Sequence, residues 1–322
     1  MGWWVINADT LAGGRFVVSA LAEVTASLKL LDSADAADPG ERAWLEAHLP
    51  AYRERVAGDP VTGLMVRIGL GRGWNADFLT PAPDGEAPFE VEVERVRQTA
   101  PDDAVAHMEV SMGGPLPAVL RRKDLPERAA RIMEWVWRET VLPYWPRRRR
   151  ILEADIVART AQLGQRGWAA ALDSMRPGMR WLGSGRLQIN AHDYPPRDLS
   201  GARLFFVPVT PGRMWVSWEE PHRYAIVYPC SGTLTDHQQV PAPLGRLLGH
   251  ARAGVLVLLD TPKSTTQLVA LTGQALGSVG RHLKVLMEAG LIQRRRAGRS
   301  VLYYRTPAGQ VLIDANGQGF PQ

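Results

Sequence analysis

Near the C-terminal end of the chain, side chains that can hydrogen-bond recur at helical spacing. Ser278, Arg281, His282 and Lys284 lie within two turns of one another. At about 100° per residue, Leu276, Leu283, Leu286 and Met287 share a side with Val279. Ser278, Arg281 and Val285 then fall opposite, with His282 and Lys284 on the flanks. A guanidinium fork such as that of Arg281 can grip O6 and N7 of guanine bidentately. Ser278 can bond a base edge or a phosphate, Lys284 suits the backbone, and His282 can serve either. Thr265 and Thr266, at the start of the preceding helix, offer hydroxyls and free amides to a phosphate. Arg294, Arg295, Arg296 and Arg299 follow closely, and each phosphate they neutralise strengthens binding in a salt-dependent way. Taken singly, each is as well read as an ordinary exposed residue; the set predicts recognition of duplex DNA.

The flanking residues supply elements to position that set. Ser264 and Gln267 stand at capping-box spacing, and Gly273 provides the left-handed residue that ends a helix. A second helix is predicted over Leu276–Ala289. Leu244, Leu247, Leu248, Ala251, Val255, Leu258 and Leu259 predict an earlier helix over 244–259, packed inward and stopped by Pro262. Runs 291–296 and 300–305 flank Ala297-Gly298 as a hairpin, and Thr306-Pro307 opens a short closing helix. Together these make a winged helix-turn-helix.

Charge supports the division. Residues 240–322 hold ten Lys and Arg against Asp260, Glu288 and Asp314, a net +7, whereas residues 1–239 carry a net −2. A local basic excess is the footprint of a module that docks on phosphates. All eleven tryptophans lie before residue 219. Val240-Pro-Ala-Pro243 is the natural seam, since its prolines discourage a continuous helix. Two domains are therefore expected, 1–239 and 240–322. No apolar run is long enough to span a membrane, and the start lacks a secretory signal. The lone Cys230 fits a reducing compartment, so a cytoplasmic location is expected.

In the first domain, helices are predicted over 17–31, 42–56, 90–112, 126–141 and 146–163, with an acidic loop at 32–41 and an irregular connection at 69–85. Short β-like runs follow at 187–190, 203–209, 214–218 and 224–228. The expected fold class is mainly α with small β: a helical N-terminal domain with a small sheet, then the C-terminal winged helix-turn-helix. Arg147–Arg150 could be a nucleic-acid patch, but a solvated helix start, with Arg149 paired to Glu153, is the favoured account. Trp135, Trp145, Trp168, Trp181 and Trp215 could line a ligand pocket, although core packing suits any single indole better. His192, His222 and His237 lack metal-ligand spacing, and Cys230 has no partner for one, so no metal and no cofactor is expected. No nucleophile-elbow, zinc-protease or phosphate-loop motif is present, and the chain is not expected to be an enzyme.

The stretch Arg281-His-Leu-Lys-Val-Leu-Met-Glu-Ala-Gly-Leu291, with Tyr303-Tyr-Arg-Thr-Pro307, resembles the ArsR-type winged-helix repressors over about residues 243–313. The resemblance implies a dimeric DNA-binding regulator. Members usually carry Ser-Pro where Ala275-Leu276 stand, and often Ser in place of Gly280. The cysteines of metal-sensing members are missing from the module, so metal sensing is not carried over. The first part is similar to a domain of unknown function found upstream of such modules. That similarity rests on Ala76–Pro83, Trp145–Asp155, Leu199–Pro208 and Tyr228-Pro229, and brings no activity with it. A homodimeric transcriptional repressor is expected, its first domain sensing a small molecule or mediating dimerisation. A ligand-free interaction platform and a tethered enzyme domain are the alternatives.

Overall fold

The computed structural model describes residues 2–317, apart from 37–38, 72, 174, 177, 191–194, 231–239, 260–261 and 298–299. They form two compact units: residues 1–146 with 168–230, and residues 147–167 with 231–322. The second unit therefore takes in a segment from the middle of the chain as well as the C-terminal part. The seam expected at 239 abuts residues outside those described. Both units are mainly helical with small sheets, as the sequence predicts.

In the first unit the order is β1 (Trp3–Val5), α1 (Ala8–Ala12), β2 (Arg15–Phe16), α2 (Ala20–Ser33), α3 (Pro39–Ala57), α4 (Pro60–Gly69), α5 (Phe89–Arg97), α6 (Pro101–Met112) and α7 (Leu125–Val136). Helix α2 is buried on nearly every side, Glu23, Thr25 and Ser27 included. Ser19 caps it by accepting from the amide of Ala22. The predicted helix over 90–112 is instead two, because Pro101 has no amide to give and Ala100 is extended (φ −60°, ψ 136°). The helix predicted to reach residue 141 keeps α geometry only to Val136 and ends in a wider π turn over Trp137–Val141. Helix α8 (Trp145–Asp173) outruns its predicted end and breaks at Gly167, whose φ of 72° and ψ of 176° are far from helical.

Strands β3 (Arg180–Gly183), β4 (Arg186–Gln188), β5 (Arg197–Asp198), β6 (Arg203–Val209), β7 (Trp215–Glu219) and β8 (Arg223–Pro229) complete the unit. They make two sheets rather than one, in orders β3-β4-β1-β5 and β2-β6-β8-β7. Strands β6 and β8 run parallel in register Leu204↔Tyr224 through Val207↔Val227. Both are buried on both faces, as parallel strands covered on each side are. The two-residue period sorts their side chains: Leu204, Phe206, Tyr224, Ile226 and Tyr228 join Trp4, Ile6 and Leu187 on one face. Phe205, Val207, Val209, Ala225 and Val227 pack with Val17, Ala22 and Trp215 on the other.

In the second unit α9 (Ala242–Leu248) and α10 (His250–Leu258) replace the single helix predicted over 244–259. Gly249, at φ 79° and ψ 138°, separates them. The break turns Leu247 outward, 66% exposed, and exposes Ala251, whereas Leu244, Val255 and Leu256 stay buried. Then come β9 (Lys263–Ser264), α11 (Thr265–Thr272), α12 (Leu276–Glu288), β10 (Ile292–Ala297), β11 (Ser300–Arg305) and α13 (Pro307–Gly317). The sheet order is β10-β11-β9, the three-stranded wing of a winged helix. The core joins Val255, Leu256, Leu259, Leu268, Val279, Leu283, Leu286 and Ile292. Leu276, expected on the buried side of α12, is 63% exposed because it opens the helix beyond the core's reach.

Candidate nucleic-acid interface

The capping box expected at Ser264 is formed. Its hydroxyl accepts from the amide of Gln267 at 3.2 Å, while its own amide donates to Gln267 Oε1 at 2.8 Å. Gly273 ends α11 at φ 67°. Thr265 and Thr266 are thereby fixed in the first turn of α11, Thr265 half-buried and Thr266 exposed. Helix α12 begins at Ala275 without any side-chain cap. Its first turn is tied from within instead: the Ser278 hydroxyl lies 3.3 Å from both Gln274 Oε1 and His282 Nε2.

Val279, Leu283 and Leu286 anchor α12 to the core. Gly277, Gly280, Arg281, Lys284 and Glu288 are exposed along the opposite side, with Val285 38% exposed beside them. The two glycines keep that face low, and a Cβ at Gly280 would meet nothing within 4 Å. Lys284 Nζ sits 3.8 Å from a carboxylate oxygen of Glu288, an exposed pair too weak to hold the lysine against a phosphate. His282 is half-buried; burial, then the guanidinium groups of Arg252 and Arg281, hold it below the usual imidazole range. A neutral ring beside Ser278 can accept as well as donate. Arg252 on α10 is a contributor that the sequence pattern did not single out. Its residue type was visible, but its approach to His282 depends on how α10 packs against α12.

Arg294, Arg295 and Arg296 are all exposed on β10, opposite Tyr303, Leu302 and Val301. Strand alternation puts Arg294 and Arg296 on one face of the wing and Arg295 on the other, so the three do not act as one cluster. Arg299 lies outside the described residues, as does Gly298 of the turn. The wing's other end is fixed by Arg305, which donates through Nε to the Leu256 carbonyl at 2.9 Å and through Nη2 to the Val257 carbonyl. Both carbonyls lie in the last turn of α10, where that of Leu256 also accepts from the Leu259 amide, so the arginine caps one helix while ending a strand. A Cβ on Gly309 would fall 2.1 Å from the Leu291 carbonyl oxygen, so only glycine lets α13 lie so close to the start of the hairpin.

Arg149 pairs with Glu153 at 2.8 Å, as its spacing implied. Arg148 beside it is buried, unlike the solvated helix start expected there. In the same unit an Arg150 guanidinium nitrogen comes within 4.0 Å of a Cβ placed on Gly273.

The five tryptophans do not converge on one pocket. Trp135 packs near Tyr52, with ring centroids 6.4 Å apart, and Trp145 meets Trp137 edge-on at 5.4 Å. Trp168 stacks on Phe206 at 5.2 Å, and Trp181 packs against the same core. Trp215 lines a cavity of about 260 Å³, together with Trp74 and Trp218. His192 and His237 lie outside the described residues, and His222 is exposed on a turn. Among the described residues, no group of three or more His, Cys, Asp or Glu could hold a metal ion. No helix there is long and apolar enough to cross a membrane.

Neither the curated proteins nor the solved structures offer a match to the chain. Residues 255–294, from α10 through the recognition helix to the first wing strand, match the bacterial regulatory proteins of the arsR family. This segment is an ArsR-type helix-turn-helix, the DNA-binding element of a transcription regulator.

Proposed function

We propose that the protein is a sequence-specific DNA-binding transcription regulator, a repressor acting as a homodimer on a near-palindromic operator in the cytoplasm. The observation that carries this reading is the two-sided recognition helix. Val279, Leu283 and Leu286 are sealed into the core, and the far side presents low glycines around Arg281 and Lys284. A helix of that form can enter a major groove without steric obstruction, bringing Arg281 to base edges while the wing arginines meet phosphates. Two-fold symmetry would repeat the contact one helical turn away. Leu247 on α9 and Val311 on α13, each 66% exposed on helices that touch, supply an apolar face for a second copy. The first unit receives the signal, and no catalytic step is assigned to it.

Selection from random duplexes, followed by gel shift at two salt concentrations, tests the proposal. Enrichment of one near-palindromic site and salt-sensitive, nanomolar binding to it are expected. Equal affinity for all duplexes at moderate salt would overturn the specific-regulator reading, and a single half-site footprint would overturn the dimer.

A further inference from the structure

The cavity beside Trp215 is built entirely from the first unit. Its aromatic lining is Trp74, Trp215 and Trp218, with Trp74 edge-on to Trp218 at 5.4 Å and 65°. Met214 and Val216 add apolar surface, while Lys29, Asn75, Asp77, Arg176 and Asn190 bring polar groups to the same space. Drug-sized sites run to roughly 300–1,000 Å³, so a cavity of about 260 Å³ suits a molecule of one or two rings.

The charges choose among such molecules. Lys29 rises from the buried helix α2, and its ammonium donates to three neutral oxygens: Asn75 Oδ1 at 2.7 Å, the Leu70 carbonyl at 2.9 Å and the Gly71 carbonyl at 3.5 Å. Among the described residues, no carboxylate is in direct contact with it. Asp32, one turn on along α2, acts from a distance and accepts from the Tyr52 hydroxyl at 3.2 Å. Burial, and then the guanidinium of Arg213, lower the Lys29 ammonium to about 8. A buried cation without a contacting counter-ion is costly, and an anion beside it lowers that cost. Burial holds the carboxyl of Asp77, the acid of the lining, above its usual range, against the pull of His107, Arg197 and the Trp218 indole; Arg197 also lies 4.0 Å over the Trp218 ring. Lys29 is thus a cation of the lining that no carboxylate among the described residues touches, and tryptophans stand beside it.

We propose that this cavity is a binding site for a small aromatic carboxylate, its ring against Trp74, Trp215 and Trp218 and its carboxylate toward Lys29. The proposal deepens the reading of the first unit as the part that receives a signal, and rests on that reading only for its effect on DNA. Binding itself can be measured without DNA.

The probes are benzoate and indole-3-acetate, their neutral amides, and tryptamine, titrated into the full-length protein by calorimetry and tryptophan fluorescence. Saturable binding of a carboxylate, one per chain, is expected, with the matched amide and the amine weaker by about tenfold or more. Lys29→Gln should erase the preference for carboxylate over amide while leaving amide binding in place, a result that loss of folding cannot mimic. Val216→Trp, which fills the cavity, should abolish binding of both. Equal binding of acid and amide, preference for the amine, no saturable binding at millimolar concentration, or an unaffected Val216→Trp variant would each overturn the proposal. Gel shifts with and without the bound carboxylate separate the two readings. Binding that leaves DNA affinity unchanged removes the sensor role and keeps the site.

Discussion

In the first unit, ionisable groups are enclosed with the core: Glu23 takes the amide and hydroxyl of Thr210, Glu92 takes Ser19 and the Leu21 amide, and Lys29 faces neutral oxygens. In the second, Arg148 and Lys263 are buried, but Arg281, Lys284, Arg294, Arg295 and Arg296 all stand exposed. An enclosed charge weighs on folding and must be answered by a fixed partner, internal or bound. A displayed charge costs folding little and remains available to a partner. The difference teaches where each kind of substitution should register: on stability in the first unit, on affinity in the second.

The hardest test of that division is Phe206→Ala. Phe206 is fully buried between Phe16 and Trp168, and its loss should cost about 3–5 kcal/mol. Urea unfolding followed by tryptophan emission would measure it. DNA affinity of the chain while still folded should not move; a matching loss there breaks the comparison. Arg281→Ala should do the reverse, weakening binding to the preferred site by about 1–3 kcal/mol and relaxing discrimination at one base pair. Its melting temperature should stay put. Arg294→Ala should weaken all duplexes alike and lower the salt dependence by about one phosphate contact.

Glu92 sharpens the inward half of the contrast. Burial pushes its carboxyl up from 4.5 to about 7, against the pull of Ser19 and the Leu21 amide. The folded chain then keeps a proton that the unfolded chain releases. The stability Glu92 contributes is complete below pH 4.5 and is lost as the pH rises through about 7. Urea midpoints taken across that range should fall with rising pH, and Glu92→Gln should flatten the slope. The smallest effect is expected at Gly280→Ala. With open space at that Cβ, it should stabilise α12 by roughly 0.5–1 kcal/mol, read as a rise in melting temperature.

The winged module was legible in the sequence because its signals are local. Ser264 and Gln267 are three residues apart, Gly273 ends a helix by its own conformation, and the hairpin pairs residues no farther apart than Ile292 and Arg305. Where a local rule met a competing one, the pattern misled. Gly249 broke an apolar period that otherwise continued, and Leu276 kept its angle on the helix wheel but lay beyond the core. The first unit's sheets were read incompletely for a different reason. Strand β1 pairs with β4 and β5 across almost the whole length of that unit, so no window around Trp3–Val5 contains its partners. The cavity shows the same limit. Lys29, Trp74 and Trp215 come from distant stretches, and tryptophan count alone pointed also to Trp135, Trp145, Trp168 and Trp181, which pack elsewhere.

Helix α8 has a bearing on how such a chain can be inherited. It starts in the first unit, runs through residues 147–167 in the second, and returns to the first at Trp168 past the break at Gly167. A gene cut at the proline-rich seam near Val240 would carry off the wing, the recognition helix and their core, and leave residues 147–167 behind. The module's own core, from Val255 to Ile292, would be cut nowhere. A recombination that moved the whole second unit would have to bring along residues 147–167 as well.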